Sequence, residues 1–204
     1  ELYGKESAIK YLKGIRNGIQ NKEPIIGPYG VNEEGSGDMY PKGANLIHSI
    51  RHAINNDSLF RNILIGLNQQ FYHQTVTTEQ VENYISVRAG FGFQKVFDQY
   101  LRTTQIPVLN YSYNEKEKIF TYEYKNCVTG FNLPLHFSYL GKNYSFMPMD
   151  YQPQQRLIKE PNFNLQDFVK TIENPREEML LAHFMVVWEV KDDKLYRGYQ
   201  MSQL

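Results

Sequence analysis

The chain has 204 residues, 22 Lys+Arg against 22 Asp+Glu, one cysteine and 41% hydrophobic residues. That length makes one large domain or two small ones and needs no staples to bury a core. Zero net charge argues against nucleic acid as a partner, the lone Cys127 excludes a disulfide framework or Cys-rich zinc knuckle, and no run approaches the ~18 apolar residues of a membrane helix.

The first half carries a helical period. From Ser7 to Ile19 the residues Ile9, Leu12, Ile15 and Ile19 recur at helical spacing. Residues 23–38, rich in Pro and Gly, read as a long loop. A second helix starts at Tyr40-Pro41, where proline's missing N–H is harmless at a first helical position. Its expected face is Gly43, Leu46, Ile47, Ile50 and Ile54. A third follows Asn56-Asp57 with Phe60, Ile63, Leu64, Leu67 and Phe71 on one stripe. Thr77 and Gln80 form a capping box for a fourth, whose apolar side is Val81, Tyr84 and Ile85. In the fifth, Phe93, Val96, Phe97, Tyr100 and Leu101 keep an unbroken amphipathic stripe.

At Gln105-Ile106-Pro107 the period changes to two. Phe120, Tyr122 and Tyr124 alternate with polar residues, as do Leu133, Leu135, Phe137 and Tyr139. Tyr144 and Phe146 continue after a turn placed at Gly141-Lys142-Asn143, and Asn114 to Lys118 reads as a hairpin turn. The tail predicts a short helix around Leu165–Thr171, within Pro161 to Pro175. An apolar stretch from Met179 to Val190 then turns at Lys191-Asp192-Asp193-Lys194 into a further hairpin. The expectation is an α+β chain: about five helices over 1–104, a small antiparallel β-sandwich-like part over 105–160, and a less defined tail over 161–204.

Few constellations suit chemistry. His48 and His52 stand four apart, a spacing that lets two imidazoles share a metal, but Ser49 follows His48 where a zincin has its glutamate. With Leu46 at zero and about 100° per residue, the apolar face centres near about 55°, and the two histidines fall near about 200° and 240°. They are expected to point away from that helix's core, as a surface or inter-domain pair. His73, His136 and His183 stand alone. Gly35-Ser36-Gly37 lacks the Lys-Ser/Thr ending of a phosphate loop and reads as a turn. Cys127 reads as a structural thiol. Asp57, Arg61, Glu79 and Glu82 read as helix faces and caps.

The specific pattern is Gly37-Asp38-Met39-Tyr40-Pro41-Lys42-Gly43-Ala44 followed by an aliphatic helix. It resembles the aminopeptidase N-type gluzincin zinc metallopeptidases, in which Tyr-x-Lys-Gly-Ala opens a helix behind the metal site. Further matches in kind follow in order: Ser49-Ile50-Arg51, Asp57-x-x-Phe60, Tyr72-His73-Gln74 with Thr77-Thr78, Phe97-Asp98-Gln99-Tyr100-Leu101 with Pro107, and Asn132-Leu133-Pro134-Leu135. The resemblance covers roughly residues 1–158; the tail from 161 does not match it.

The resemblance implies a hydrolase that cleaves N-terminal residues from peptides, with Tyr40 as the catalytic donor to the tetrahedral oxyanion. Lys42 and Gly43 would be structural, Gly43 allowing close helix packing and Lys42 pairing with a loop carboxylate such as Asp38. The departures are large. No His-Glu-x-x-His occurs, nor a Gly-Ala-Met-Glu-Asn-like segment for the substrate's amino group. The family's third zinc ligand would lie just upstream of Glu1, before a Tyr-Gly resembling Tyr3-Gly4. The sequence thus reads as a C-terminal fragment of the enzyme, inactive alone and without zinc of its own. Zinc, the upstream catalytic segment and the peptide substrate would belong to the intact parent. The alternative is a stand-alone, non-catalytic peptide- or protein-binding module. A third, weaker reading is a metal-binding domain built on His48 and His52. The chain starts with neither an initiator Met nor a signal peptide, so its compartment, periplasmic or cytoplasmic, stays open.

Overall fold

The helical period of the first half and the alternation of the second are both realised in the backbone. The computed structural model describes residues 4–32, 35–173, 186–191 and 194–197. Five helices come first among these: α1 (Gly4–Asn17), α2 (Pro41–Ile54), α3 (Asp57–Gln70), α4 (Thr78–Ala89) and α5 (Gln94–Arg102). Their ends are held by the residues that the sequence marks. Asn56 Oδ1 accepts from Leu59 N at 2.9 Å at the start of α3. At α4 the Gln80 N–H donates to Thr77 Oγ1 and the Thr77 N–H donates to Gln80 Oε1, completing the capping box. Gly90, at φ +69°, ends α4 in the left-handed region that suits glycine. No helix among the described residues is long and apolar enough to cross a membrane.

The strands follow: β1 (Val108–Asn114), β2 (Ile119–Lys125), β3 (Leu135–Tyr139), β4 (Lys142–Phe146) and β5 (Gln154–Leu157), then α6 (Leu165–Glu173), β6 (Val186–Lys191) and β7 (Lys194–Arg197). The chain is therefore an α+β protein, helices first and sheets after. One sheet runs β5-β2-β1-β6-β7 and a second pairs β3 with β4. Every pairing among the described strands is antiparallel except β1 with β6, which is parallel; the two are far apart in the sequence, as a parallel pair requires. In the β1–β2 hairpin, Asn114 Oδ1 accepts from the backbone N–H groups of Lys116 and Glu117 and folds the charged loop. The β3–β4 turn lies one residue earlier than expected, at Leu140-Gly141, with Tyr139 paired to Lys142. Both turn residues have positive φ, 47° and 74°, as a tight two-residue hairpin requires.

The described part of the tail holds α6 and the β6–β7 pair, with Lys191 opposite Lys194. Residues 179–185 of the apolar stretch, and Glu1, Tyr3, Pro175, His183 and Asp192-Asp193, lie outside the described residues.

One hydrophobic cluster runs through helices and strands. It takes Leu46 and Ile50 from α2, Val96, Phe97 and Tyr100 from α5, Phe120 and Tyr124 from β2, Phe137 from β3, Phe146 from β4 and Phe168 from α6. Phe168 touches rings of both sheets, with centroids 5.2 Å from Phe120 and 5.3 Å from Phe137.

The face of α2 corrects the sequence reading. Lys42, Asn45, Leu46, Ser49, Ile50, His52 and Ala53 are buried, whereas Ile47 is exposed and Ile54 half-buried. The buried arc is centred near about 315° on the same wheel, about 100° from the apolar stripe. The reason is that the polar residues on it have partners. Asn45 Nδ2 donates to Pro41 O, Ser49 Oγ donates to Asn45 O, and His52 packs against the His136 ring at 6.2 Å. His52 is thus a core histidine, not a surface one, and the expectation that it points away from the core fails. His136 Nε2 in turn donates to Ala53 O at 3.1 Å, tying β3 to α2.

Candidate functional site

The motif around Tyr40 begins with a turn. Gly35 has φ +80°, and a Cβ there would stand 3.2 Å from Ile25 O, so both conformation and space call for glycine. Ser36 then caps a 3₁₀ turn (Gly37–Met39), its Oγ accepting from Asp38 N at 3.3 Å. Gly35-Ser36-Gly37 is a turn, as its missing Lys-Ser/Thr ending implied. Tyr40 is the hinge residue between this turn and α2. Its N–H reaches Gly37 O and its carbonyl accepts from Ala44 N. Pro41 takes the first helical position.

Burial alternates sharply across the motif. Asp38 is 4% exposed and Lys42 is 0% exposed, while Tyr40 between them is 77% exposed. The Asp38 carboxylate accepts from the backbone N–H of Gln20 at 2.9 Å and of Asn21 at 2.5 Å. Lys42 Nζ donates to Asn21 Oδ1 and to Thr103 O, each at 2.8 Å. Asn21 Nδ2 donates to Thr104 O. Asn21 is therefore a hub joining the α1–α2 loop, the start of α2 and the segment after α5. Its φ of +52° is one that asparagine tolerates better than most residues. The expected Lys42–Asp38 ion pair is replaced by this arrangement, and Asp38 acts on Lys42 through its field. Burial holds the Lys42 ammonium below its usual pKa, and the Asp38 charge opposes that fall. A cleft of about 220 Å3 lies beside the turn, lined by Gly18, Gln20, Lys22, Glu23, Ser36, Gly37 and Asp38; Tyr40 is not on its wall.

The other candidates separate from this site. Burial pushes the Cys127 thiol up to about 12, with Asp150 adding to it and Lys125 opposing, which favours the protonated thiol at neutral pH. His48 is half-buried, and burial, then Arg51, hold its pKa below the ordinary value. Among the described residues no three His, Cys, Asp or Glu side chains gather as a metal site. Asp57 pairs with Arg51 at 2.8 Å and Glu82 with Arg102 at 2.8 Å, both as helix-face ion pairs. A larger groove of about 720 Å3 crosses α3 and α4 at Phe71, Tyr84, Val87 and Arg88 and contains none of the motif residues.

Sequence reasoning missed Asn21, Thr103 and Gln99. Gln99 is 0% exposed and links α5 to the loops before β1 and after β2, donating to Gln105 O and accepting from Val128 N. Periodicity carries no signal for such residues. A Gly18 followed shortly by Asn at the end of α1 was the one local cue, since asparagine favours turns.

No protein-family model matches the sequence, and no curated protein matches it. Among solved structures, the chain is similar to aminopeptidase A of Legionella pneumophila in complex with aspartic acid, at 14% identity and a TM-score of 0.47. The match covers 59% of this chain and 15% of the other, so the chain spans a small part of that protein's length. A likeness so loose carries no argument about fold or chemistry.

Proposed function

We propose that this chain forms one wall of a zinc aminopeptidase site and supplies its oxyanion donor, Tyr40. The observation that carries the reading is the exposure of Tyr40 between two buried, hydrogen-bonded charges. Tyr29, Tyr72 and Tyr151 are exposed as well, but Tyr40 stands between two buried charges that hold its backbone. Here the ring is presented to solvent while the backbone on either side is held.

The chemistry follows from what a phenol does. Water adding to a peptide carbonyl puts negative charge on its oxygen, and that charge exists only near the transition state. A donor already in place lowers the barrier without tightening substrate binding. Tyr40 also leaves the chain at the positive end of α2, where negative charge is favoured. The described residues do not fit a zinc site. In this proposal the metal is held by residues other than these, and the part of this chain is the hydrogen bond from Tyr40 to the oxyanion.

The test uses the complete reading frame that contains this chain. Hydrolysis of aminoacyl 4-nitroanilides is measured for the wild type and for Tyr40→Phe. The variant is expected to lose on the order of 10²-fold in kcat, the scale of one oxyanion donor, with little change in KM. An unchanged kcat removes Tyr40 from the mechanism. A reading frame without metal-binding residues or hydrolysis favours a peptide- or protein-binding module instead.

A further inference from the structure

We propose that Lys42 is a positioning residue for Tyr40: its buried ammonium, joined to Asn21 and Thr103, locks the start of α2 against two other segments and so fixes where the phenol stands. This rests on the functional reading above and adds to it how the donor is held.

The argument starts from an expense. Lys42 is 0% exposed, and an ammonium taken out of water loses hydration that only good partners restore. An apolar side chain would fill the same space against α2 without that loss. What an apolar contact does not supply is direction. Lys42 Nζ has two acceptors at 2.8 Å on two separate segments, the loop at Asn21 and the exit from α5 at Thr103. Asp38, two residues before Tyr40, grips the same loop through the N–H groups of Gln20 and Asn21. Tyr40 therefore stands with an anchor two residues away on each side, and both anchors meet at Asn21. With its ends fixed this way, the backbone of residue 40 cannot pivot about the 3₁₀–α junction. A misplacement of about 1 Å in such a group costs up to ~10²-fold in rate, so an anchor of this kind has a catalytic consequence.

The experiment has two arms, on this chain and on the complete reading frame. In the chain, ¹⁵N relaxation of the Tyr40 amide is measured for the wild type, Lys42→Met and Asn21→Gly. Glycine tolerates the +52° φ of Asn21, so the second variant removes the hub side chain without backbone strain. The order parameter at Tyr40 is expected to fall from about 0.85 to below about 0.6 in both variants, while α3 and α4 keep theirs. In the complete protein each variant is expected to lose ~10- to 100-fold in kcat with KM little changed. Val87→Ala, on the far groove, changes neither measurement. If Lys42→Met does not fold, Asn21→Gly decides. An unchanged order parameter at Tyr40 overturns the proposal whatever Tyr40 does. A lowered order parameter with full kcat overturns it too, provided Tyr40→Phe is impaired. Should Tyr40→Phe be fully active, the functional reading fails, and the relaxation data still judge the anchor.

Discussion

The aromatic cluster between the sheets and the polar corner beneath Tyr40 are both buried, yet they are built on opposite principles. Around Phe168 the contacts are rings on rings. Tyr122 stacks on Phe146 at 4.3 Å and 5°, Phe137 meets Phe146 at 90°, and Phe168 meets Tyr139 and Tyr144 at nearly right angles. Such packing depends on volume and tolerates small rotations. Around Asn21 few atoms meet, but each contact is a directed hydrogen bond: to Asp38, from Lys42, and to the carbonyls of Thr103 and Thr104. The first arrangement holds mass in place; the second holds one backbone orientation. The expected division is stability in the cluster and geometry in the corner.

Phe168→Ala is the largest test of that division. The side chain is 0% exposed and touches rings from β2, β3 and β4, so its loss leaves a cavity that rigid neighbours cannot fill. A cost of about 3–5 kcal/mol is expected in urea unfolding. Lys42→Met should cost less, about 1–2 kcal/mol, because it leaves Asn21 Oδ1 and Thr103 O short of a donor but also ends the burial of an ammonium. If the two variants lose equal stability, the corner is part of the structural core and the division fails.

The two regions also differed in how far the sequence revealed them. The cluster was legible because its residues obey a period: Phe120, Tyr122 and Tyr124 alternate on β2, and Phe93, Val96, Phe97 and Tyr100 recur along α5. A period reports which residues avoid water, which is the property that builds such a core. The corner was legible only as a motif. Tyr40, Asp38 and Lys42 stood out, but the residue that joins them, Asn21, lies 21 positions from Lys42 and obeys no period. The same blindness misplaced the face of α2. Lys42, Asn45, Ser49 and His52 look outward-facing in a hydropathy pattern, yet they are buried: Lys42 and His52 meet partners from other segments, and Asn45 and Ser49 bond to carbonyls one turn back on α2. The parallel β1–β6 pair was likewise invisible, since strand direction depends on the connection and not on the alternation within a strand.

Tyr124 gives the smallest effect and the sharpest comparison, because it places a fully buried directional bond inside the aromatic cluster. Its ring is 0% exposed against Phe131 at 4.9 Å, and its hydroxyl donates to Leu133 O at 3.0 Å. Burial holds the phenol well above its ordinary pKa of 10.0, with Tyr100 and Cys127 adding to the rise. The folded chain therefore keeps this proton at pH values where the unfolded chain releases it. Stability from that bond is complete below about pH 10 and declines as pH rises further. Cys127, raised from 9.0 to about 12, begins the same decline nearer pH 9. Lys42 has the opposite sign: its lowered pKa makes the folded state gain as pH climbs toward 10.5. Wild-type stability is thus expected to fall above about pH 9. Tyr124→Phe should cost ~1 kcal/mol at pH 7, the worth of one buried hydrogen bond. Above pH 10 the wild type loses what the variant has already lost, so the two unfolding midpoints should converge by pH 11. A gap that stays constant from pH 7 to 11 would mean that the hydroxyl titrates alike in both states. The cluster would then be indifferent to this buried hydroxyl.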